Sequence, residues 1–176
     1  MMIQDLFERD IHRPINGVVK ADQLDASSVW QELDEFVVTA ELTRHITDVV
    51  SALNDDGKSL RGSRVLVLGI AYKPDIDDIR ESPAAEIIET LAAGGADVAY
   101  HDPHVPTFPK MRKHDIHLAS TPLEEETLAG YDCVLIVTDH SAVDYELVGR
   151  CTPLIVDSRN AMARVPGTVT ARVVKA

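Results

Sequence analysis

The sequence contains few cysteines and aromatic residues, and it has no long apolar segment. Only two of its 176 residues are cysteines, and their spacing does not fit a metal site. No apolar run approaches the roughly 20 residues of a membrane-spanning helix. Residues 1–8 have neither the basic start nor the apolar core of a signal peptide. These features predict a cytoplasmic protein with reduced thiols, and Cys133, inside an apolar run, is expected to be buried.

Basic residues are also few. There are 17 of them against 29 acidic residues, which gives a net charge of −12 at pH 7. This balance predicts no nucleic-acid or membrane partner, since both require a basic surface. The glycine-rich signatures of dinucleotide-binding and ATP-hydrolysing proteins do not occur in the sequence either. We therefore expect no complete NAD or ATP site within it.

The clearest pattern is a strand–loop–helix–strand unit between residues 65 and 101. Residues 65–68 form an unbroken apolar run that ends at Gly69, where the backbone can turn. Ser82 is the expected N-cap of the next helix, with Pro83 at its first position. We expect the helix over residues 84–93, stopped by Gly94 and Gly95, and the second strand over residues 97–101.

The remaining pattern continues the alternation of strands and helices. Further strands are predicted at 116–118, 133–137, 154–156 and 168–174, the last at an edge; further helices are predicted at 122–129 and 142–148. The alternation predicts an α/β fold with a Rossmann-like parallel sheet and helices on both faces. A long N-terminal helix, residues 28–54, precedes it. The expected division is an N-terminal segment (1–28), the long helix (29–54) and an α/β domain (61–176).

Three cations follow predicted strands and therefore fall on one edge of the predicted sheet. Lys73 and Arg80 lie in the loop after the first strand, and Arg159 follows strand 154–156. Cations in this position suit a phosphate-bearing ligand. The alternatives are a solvated loop in which the cations pair with nearby aspartates, and an arginine that binds local carbonyls. Asp157 is expected to position its loop.

Other polar residues are expected to be structural. Asp77, Asp78 and Glu81 should hold Arg80, rather than a metal or an acid–base pair. His101 and His104 flank a proline in a loop and make a poor metal site by themselves. His140, beside Asp139, is expected to be a satisfied histidine rather than a general base. Tyr72 and Tyr131 are interpreted as packing residues. We predict no metal site and no catalytic residue.

Four motifs carry a resemblance to a known family. They are GIAYKPDIDDIRESP (69–83), YHDPHVP (100–106), VTDHSAVDY (137–145) and IVDSRNA (155–161). Together they resemble the C-terminal, UDP-binding domain of the UDP-glucose/GDP-mannose dehydrogenase family, most closely its UDP-N-acetylhexosamine 6-dehydrogenase branch. The resemblance covers about residues 46–175. Pro74 departs from the lysine that is common in many relatives.

The resemblance implies a function in polysaccharide biosynthesis. It implies that Lys73, Tyr72 and Arg159 contact a UDP-sugar and that Arg80 reaches the phosphates of NAD. Family members oxidise the sugar C6 alcohol with NAD through a cysteine thiohemiacetal, and they dimerise through a central helix. The NAD domain and the catalytic cysteine motif are not found in this sequence. We therefore expect UDP-sugar binding, a homodimer through the N-terminal helix, and no activity from this chain alone.

A second resemblance concerns residues 2–45. The segments DIHRPINGVVKADQ (10–23) and WQELDEFVVTAEL (30–42) resemble the N-terminus of the P-loop ATPases of BREX phage-defence systems. This resemblance indicates a chimera whose two parts meet near His45. The alternative function is therefore an interaction module of a defence system fused to a passive α/β domain. A non-functional fragment is the third possibility.

Overall fold

The protein is an α/β domain whose helices and strands alternate along the chain. The computed structural model describes the backbone of residues 26–176 and the side chains of residues 40–176. Within them, no helix has both the length and the apolar character needed to cross a membrane. The elements are α1 (Ala26–Asp55), β1 (Arg64–Leu68), α2 (Ala84–Ala93), β2 (Asp97–His101), α3 (Glu125–Leu128), β3 (Cys133–Ile136), α4 (Tyr145–Cys151), β4 (Leu154–Asp157), a 3₁₀ turn (Met162–Arg164) and β5 (Arg172–Lys175).

The five strands form one parallel sheet in the order β2-β1-β3-β4-β5. The chain order reverses between β1 and β3, because β2 lies on one side of β1 and all later strands lie on the other. In open sheets of this kind, ligands bind outside the carboxyl ends of the strands near such a reversal. The fold therefore places the expected ligand site at the loops that follow β1, β3 and β4.

Both faces of the sheet are covered, which confirms the predicted fold class. On one face, Val65 and Val67 of β1 pack in a cluster with Leu53 of α1 and Leu91 of α2. The other face packs against α3, α4 and the 3₁₀ turn through Leu128, Val148 and Met162. Apolar residues alternate between the faces along each strand, so the central strands are buried on both sides. The compact unit that carries the sheet runs from Val38 to Ala176.

The unit from β1 to β2 follows the sequence prediction closely. Helix α2 begins at Ala84, directly after Pro83. The Ser82 hydroxyl accepts a 3.2 Å hydrogen bond from the N–H of Ala84, so this serine provides a partner for one N–H group at the start of the helix. The helix ends at Ala93, and Gly95 then adopts φ +94°, which only glycine adopts readily. These local signals were sufficient because they do not depend on tertiary contacts.

The predicted strand 116–118 is wrong. The segment after it forms only isolated bridges, Thr107 with Ala119 and Tyr100 with Ser120. The neighbouring segment contains Pro106 and Pro109, which have no backbone N–H to extend a ladder. A regular strand therefore does not form here, although the N–H of Phe108 still donates a 2.9 Å hydrogen bond to the carbonyl of Leu118.

Three other elements differ from the sequence prediction by three or more residues at one or both ends. Helix α4 was expected at 142–148 but begins at Tyr145, because Asp144 caps it by accepting a 2.9 Å hydrogen bond from the N–H of Leu147. Helix α3 is shorter than the expected 122–129, and β5 is shorter than the expected 168–174, although it does lie at an edge. The N-terminal segment 1–28 lies largely outside the described residues, so the structure does not test it.

Candidate functional site

The loops after β1 and β3 are in direct contact at the carboxyl edge of the sheet. Gly69 has φ +75°, and a Cβ built on it would lie 2.8 Å from the carbonyl carbon of Thr138 and closer still to the carbonyl oxygen. The Thr138 hydroxyl also donates a 2.6 Å hydrogen bond to the carbonyl of Ala71. Gly69 is therefore required for packing between loops, and the space beside it is filled by protein rather than left for a ligand.

Asp102 joins the loops that follow β1 and β2. One carboxylate oxygen accepts hydrogen bonds from the backbone N–H groups of Ile70 (2.8 Å) and Ala71 (3.3 Å). The other accepts from those of His104 (2.8 Å) and Val105 (3.1 Å). The side chain is fully buried, so these amides have little access to water as an alternative partner. Asp102 thus fixes two loops of the site at once.

His140 connects the third loop to this carboxylate. Its Nδ1 accepts a 2.9 Å hydrogen bond from the N–H of Asp75, so the ring proton is on Nε2 and is donated to Asp102 Oδ2 at 3.0 Å. Burial alone would raise the pKa of Asp102, but hydrogen bonds from His140 and from the amides of Ile70 and His104 lower it to about 2. The interpretation of His140 as a satisfied histidine is confirmed.

Asp75 ties the loop after β1 to the loop after β3. It has φ +62°, a conformation that costs an aspartate less than most residues. Its Oδ1 accepts hydrogen bonds from the N–H (2.8 Å) and the hydroxyl (2.9 Å) of Ser141. These two hydrogen bonds lower the pKa of the Asp75 carboxyl. The loop that carries Lys73 is therefore held two residues beyond that lysine.

Lys73 and Tyr72 precede this anchored part of the loop, and both are exposed. The ammonium of Lys73 lies 5.2 Å from the centre of the Tyr72 ring, and Tyr72 is 48% exposed. Lys73 forms no ion pair with any residue in the described part of the chain, so the expected alternative of pairing with neighbouring aspartates is not seen. The interpretation of Tyr72 as a packing residue is wrong, whereas Tyr131 is buried as expected.

Arg80 lies further along the same loop and is 83% exposed. Its guanidinium donates to both oxygens of Asp78, at 3.0 and 2.7 Å, which confirms that Asp78 holds it. The hydrogen bonds from Arg80 lower the pKa of Asp78 to about 2. Arg80 also lines an open hollow of about 540 Å³ together with Lys110 and Arg112. The exposed guanidinium remains accessible to an anion.

Arg159 leaves the sheet after β4 and is fixed by its own loop. Its Nε donates a 2.6 Å hydrogen bond to the carbonyl of Val137. Asp157 accepts from the N–H groups of Arg159 (3.0 Å), Ala161 (3.1 Å) and Met162 (2.9 Å), which confirms its role in positioning the loop. Arg159 therefore does bind a local carbonyl, as the alternative interpretation expected, and within the described residues only its Nε group is used in this way.

The sheet sets the spacing between Lys73 and Arg159. Strands β1 and β4 are separated only by β3, and neighbouring strands lie about 4.8 Å apart. The two cation-bearing loops thus leave the same edge about 10 Å apart. Cys133 is fully buried in β3, and burial raises the pKa of its thiol to about 12. The arrangement suits the binding of an anion and supplies no reactive thiolate from β3.

Comparison with known proteins identifies the domain. The sequence profile of the UDP-glucose/GDP-mannose dehydrogenase family, UDP binding domain, matches residues 66–164. UDP-glucose 6-dehydrogenase of Haloferax volcanii is 37% identical over 111 residues, covering 61% of this chain and 25% of the relative. UDP-glucose 6-dehydrogenase of Rickettsia bellii is 28% identical over 163 residues, covering 89% of this chain and 36% of the relative.

Solved structures give the same result. The NDP-N-acetyl-D-galactosaminuronic acid dehydrogenase of Methanosarcina mazei superposes with a TM-score of 0.55 at 28% identity, over 68% of this chain and 25% of that one. The UDP-D-ManNAc dehydrogenase of Pyrococcus horikoshii gives 0.56 at 25% identity, over 75% and 30%. The chain spans about a quarter to a third of the length of these proteins. With its profile match and its parallel sheet, the chain belongs to the UDP-glucose/GDP-mannose dehydrogenase family and carries that family's UDP-binding domain.

Proposed function

We propose that this domain binds a UDP-sugar at the carboxyl edge of its sheet, with Lys73, Tyr72 and Arg159 as contacts. The observation that carries the proposal is the state of Lys73, which is exposed within the matched family domain and has no carboxylate partner in the described residues. Its ammonium, which lies beside the Tyr72 ring, suits a phosphate group. Tyr72 offers an exposed aromatic ring beside it, and Arg159 offers a second cation on the loop after β4, beyond β3 in the sheet.

The hydrogen bonds that fix the loops also support this proposal. Asp75 and Asp102 anchor the loop of Lys73, while Asp157 anchors the loop of Arg159. Rigid loops lose little conformational freedom when a ligand binds, so more of the interaction energy appears as affinity. Neither Lys73 nor Arg159 lines the hollow around Arg80 or the one around Tyr145. Both residues are exposed, and a ligand held there alone should bind weakly.

Replacement of Lys73 by alanine is expected to weaken UDP binding by about 1.5–3 kcal/mol, which is roughly 10- to 150-fold. The reason is the loss of one charge-assisted contact with phosphate. Isothermal titration with UDP at low and moderate salt measures the change. Lys58→Ala removes the same charge near the opposite edge of the sheet, where Lys58 pairs with Asp132, and should leave the affinity nearly unchanged. Equal affinities for wild type and Lys73→Ala would contradict the proposed site.

Toward NAD, the described part of the chain offers a single contact. Arg80 presents an exposed guanidinium that could meet a phosphate, as the family resemblance implies. The glycine after β1, however, packs against Thr138 and leaves no cradle for a pyrophosphate. We propose that Arg80 contributes to a cofactor site that another domain completes. Arg80→Ala should therefore change UDP binding by this chain very little.

This chain alone is expected not to oxidise UDP-sugars with NAD. Hydride transfer needs the nicotinamide held against the sugar, and the described residues provide only Arg80 toward that cofactor. The second oxidation needs an accessible thiolate, whereas Cys133 is buried. The assay is NADH formation with UDP-glucose and with UDP-N-acetylated hexosamines at millimolar concentration. Turnover that persists on purification and disappears in Cys151→Ser would contradict this expectation.

The homodimer remains a proposal. The family resemblance implies dimerisation through the central helix, of which only the end, about residues 46–53 of α1, is matched in this chain. The second half of α1 already packs Val49 and Leu53 into the sheet core, so the proposed interface uses the rest of the helix. Light scattering during size-exclusion chromatography at high protein concentration tests it. A constant monomer mass over the whole concentration range would rule it out.

The alternative function, an interaction module of a BREX-like defence system, also remains a prediction. It concerns residues 2–45, of which the structure describes only the last side chains. The similarity to the Rickettsia relative covers 89% of this chain, so the aligned region must include part of residues 2–45. This favours a dehydrogenase origin for that part of the segment. A pull-down of defence-system proteins with residues 1–45 fused to a carrier tests the alternative.

A further inference from the structure

Three potential metal ligands meet where the loops after β1, β2 and β3 come together. Asp75, His104 and His140 each offer one donor atom, and these atoms all lie within 4.8 Å of one another. Asp75 Oδ1 is 3.7 Å from His104 Nε2 and 4.0 Å from His140 Nδ1. Ligands in a tetrahedral zinc site are about 3.4 Å apart, given Zn–N and Zn–O bonds near 2.0–2.1 Å. Reductions in these separations of a few tenths of an ångström, and of at most about 1.4 Å, would produce that geometry.

The Nε2 atom of His104 provides independent support for a ligand at this position. This atom is buried and has no hydrogen-bond partner in the described residues, although a third of the side chain is exposed. A buried ring nitrogen normally has a partner. This nitrogen faces Asp75, whose carboxylate is 48% exposed, so an ion could enter from solvent.

His140 already has the support that metal-binding histidines require. Its Nε2–H donates to the buried carboxylate of Asp102 at 3.0 Å, which fixes the ring and makes Nδ1 the atom that faces the cluster. A carboxylate behind a histidine in this way orients it and raises its basicity as a ligand. At present Nδ1 accepts the N–H of Asp75. Metal binding would exchange that hydrogen bond for a coordination bond, and the ion would share Asp75 Oδ1 with the two hydrogen bonds from Ser141.

We infer that Asp75, His104 and His140 form a site for a divalent transition metal of the zinc class. A set of two imidazoles and one carboxylate suits zinc and cobalt(II) better than it suits magnesium or calcium. A fourth coordination position would be open to water. The bound ion would join three loops and restrain the segment that carries Tyr72 and Lys73. This site is separate from the UDP contacts and does not depend on the proposed function.

The test is titration of the metal-free chain with ZnCl₂ by calorimetry and with CoCl₂ by visible absorption. We expect one site, with cobalt bands of a four-coordinate complex and a rise in the unfolding temperature. His104→Ala and Asp75→Asn should each weaken zinc binding at least 10-fold. Asparagine tolerates the backbone conformation of Asp75, and unfolding in EDTA shows whether each variant is folded. His117→Ala is the matched control, because His117 lies beside Asp115 on the surface, 3.0 Å away.

Two results would overturn the inference. One is zinc affinity that is the same in wild type and folded His104→Ala. The other is a loss of zinc binding in His117→Ala as large as in His104→Ala, since that would indicate adventitious surface binding. UDP titration in EDTA separates this inference from the proposed function. UDP binding in EDTA without zinc binding would remove only the metal site.

Discussion

Gly69→Ala is expected to lower the free energy of unfolding by about 2–5 kcal/mol. An alanine at φ +75° costs roughly 1–2 kcal/mol in backbone strain. Its Cβ would also overlap the carbonyl group of Thr138, and overpacking of this kind typically costs about 1–3 kcal/mol more. Urea unfolding followed by circular dichroism measures the loss, and an insoluble variant would show an effect at or beyond the upper end.

Gly57→Ala is the matched control for this substitution. Gly57 follows α1 with a similar φ of +72°, but no atom lies within 4 Å of a Cβ built there. This variant should therefore cost only the backbone strain, about 1–2 kcal/mol. The difference between the two variants isolates the contact between the β1 and β3 loops. Equal losses would mean that the contact with Thr138 relaxes at no cost and that the loops are not locked together.

Asp102→Ala is expected to lower the free energy of unfolding by about 3 kcal/mol or more. It removes the acceptor for four backbone N–H groups and for His140, and each buried donor left without a partner costs about 1–3 kcal/mol, with sums that are not additive. Asp132→Ala is the control, because Asp132 also accepts a backbone N–H and pairs with a lysine but is partly exposed. It should cost about 1 kcal/mol. A similar loss for both variants would contradict the assigned role of Asp102.

The same carboxylate predicts part of the pH dependence of stability. Its pKa falls from 3.8 in the unfolded chain to about 2 in the folded protein. A lowered pKa stabilises the folded state above pH 4, by about 2–3 kcal/mol, and this contribution is lost as the pH falls from about 4 to 2. Urea unfolding between pH 7 and pH 2 should show the loss. In Asp102→Asn the decline over this range should be smaller by that amount.

Most of the fold could be predicted from local signals. The elements from β1 to β2 were predicted nearly to the residue, because an apolar run, a capping serine and two glycines mark each boundary. The predicted strand 116–118 failed because pairing depends on a partner segment interrupted by Pro106 and Pro109. The prediction started α4 three residues too early, because the sequence pattern did not single out Asp144 as the N-cap.

The site was predictable only in part. The cations at 73, 80 and 159 were found from their position after strands, since parallel strands bring such loops to one edge. The network behind them was not found. Asp75, Asp102 and His140 are separated by up to 65 residues along the chain, and only the register of β1, β2 and β3 brings them together. One feature of the sequence pointed to this network: Asp102 lies in a histidine-rich loop, two residues before His104.

The central claim, UDP binding between the loops of Lys73 and Arg159, is tested most directly by NMR. Backbone amide shifts of the isotope-labelled chain would be followed during titration with UDP, with uridine as the control that lacks phosphate. The account predicts saturable shifts concentrated in residues 72–75 and 158–161, weaker at high salt and much smaller with uridine. Shifts centred on the opposite edge of the sheet, around Lys58 and Asp132, or no shifts at millimolar UDP, would contradict it.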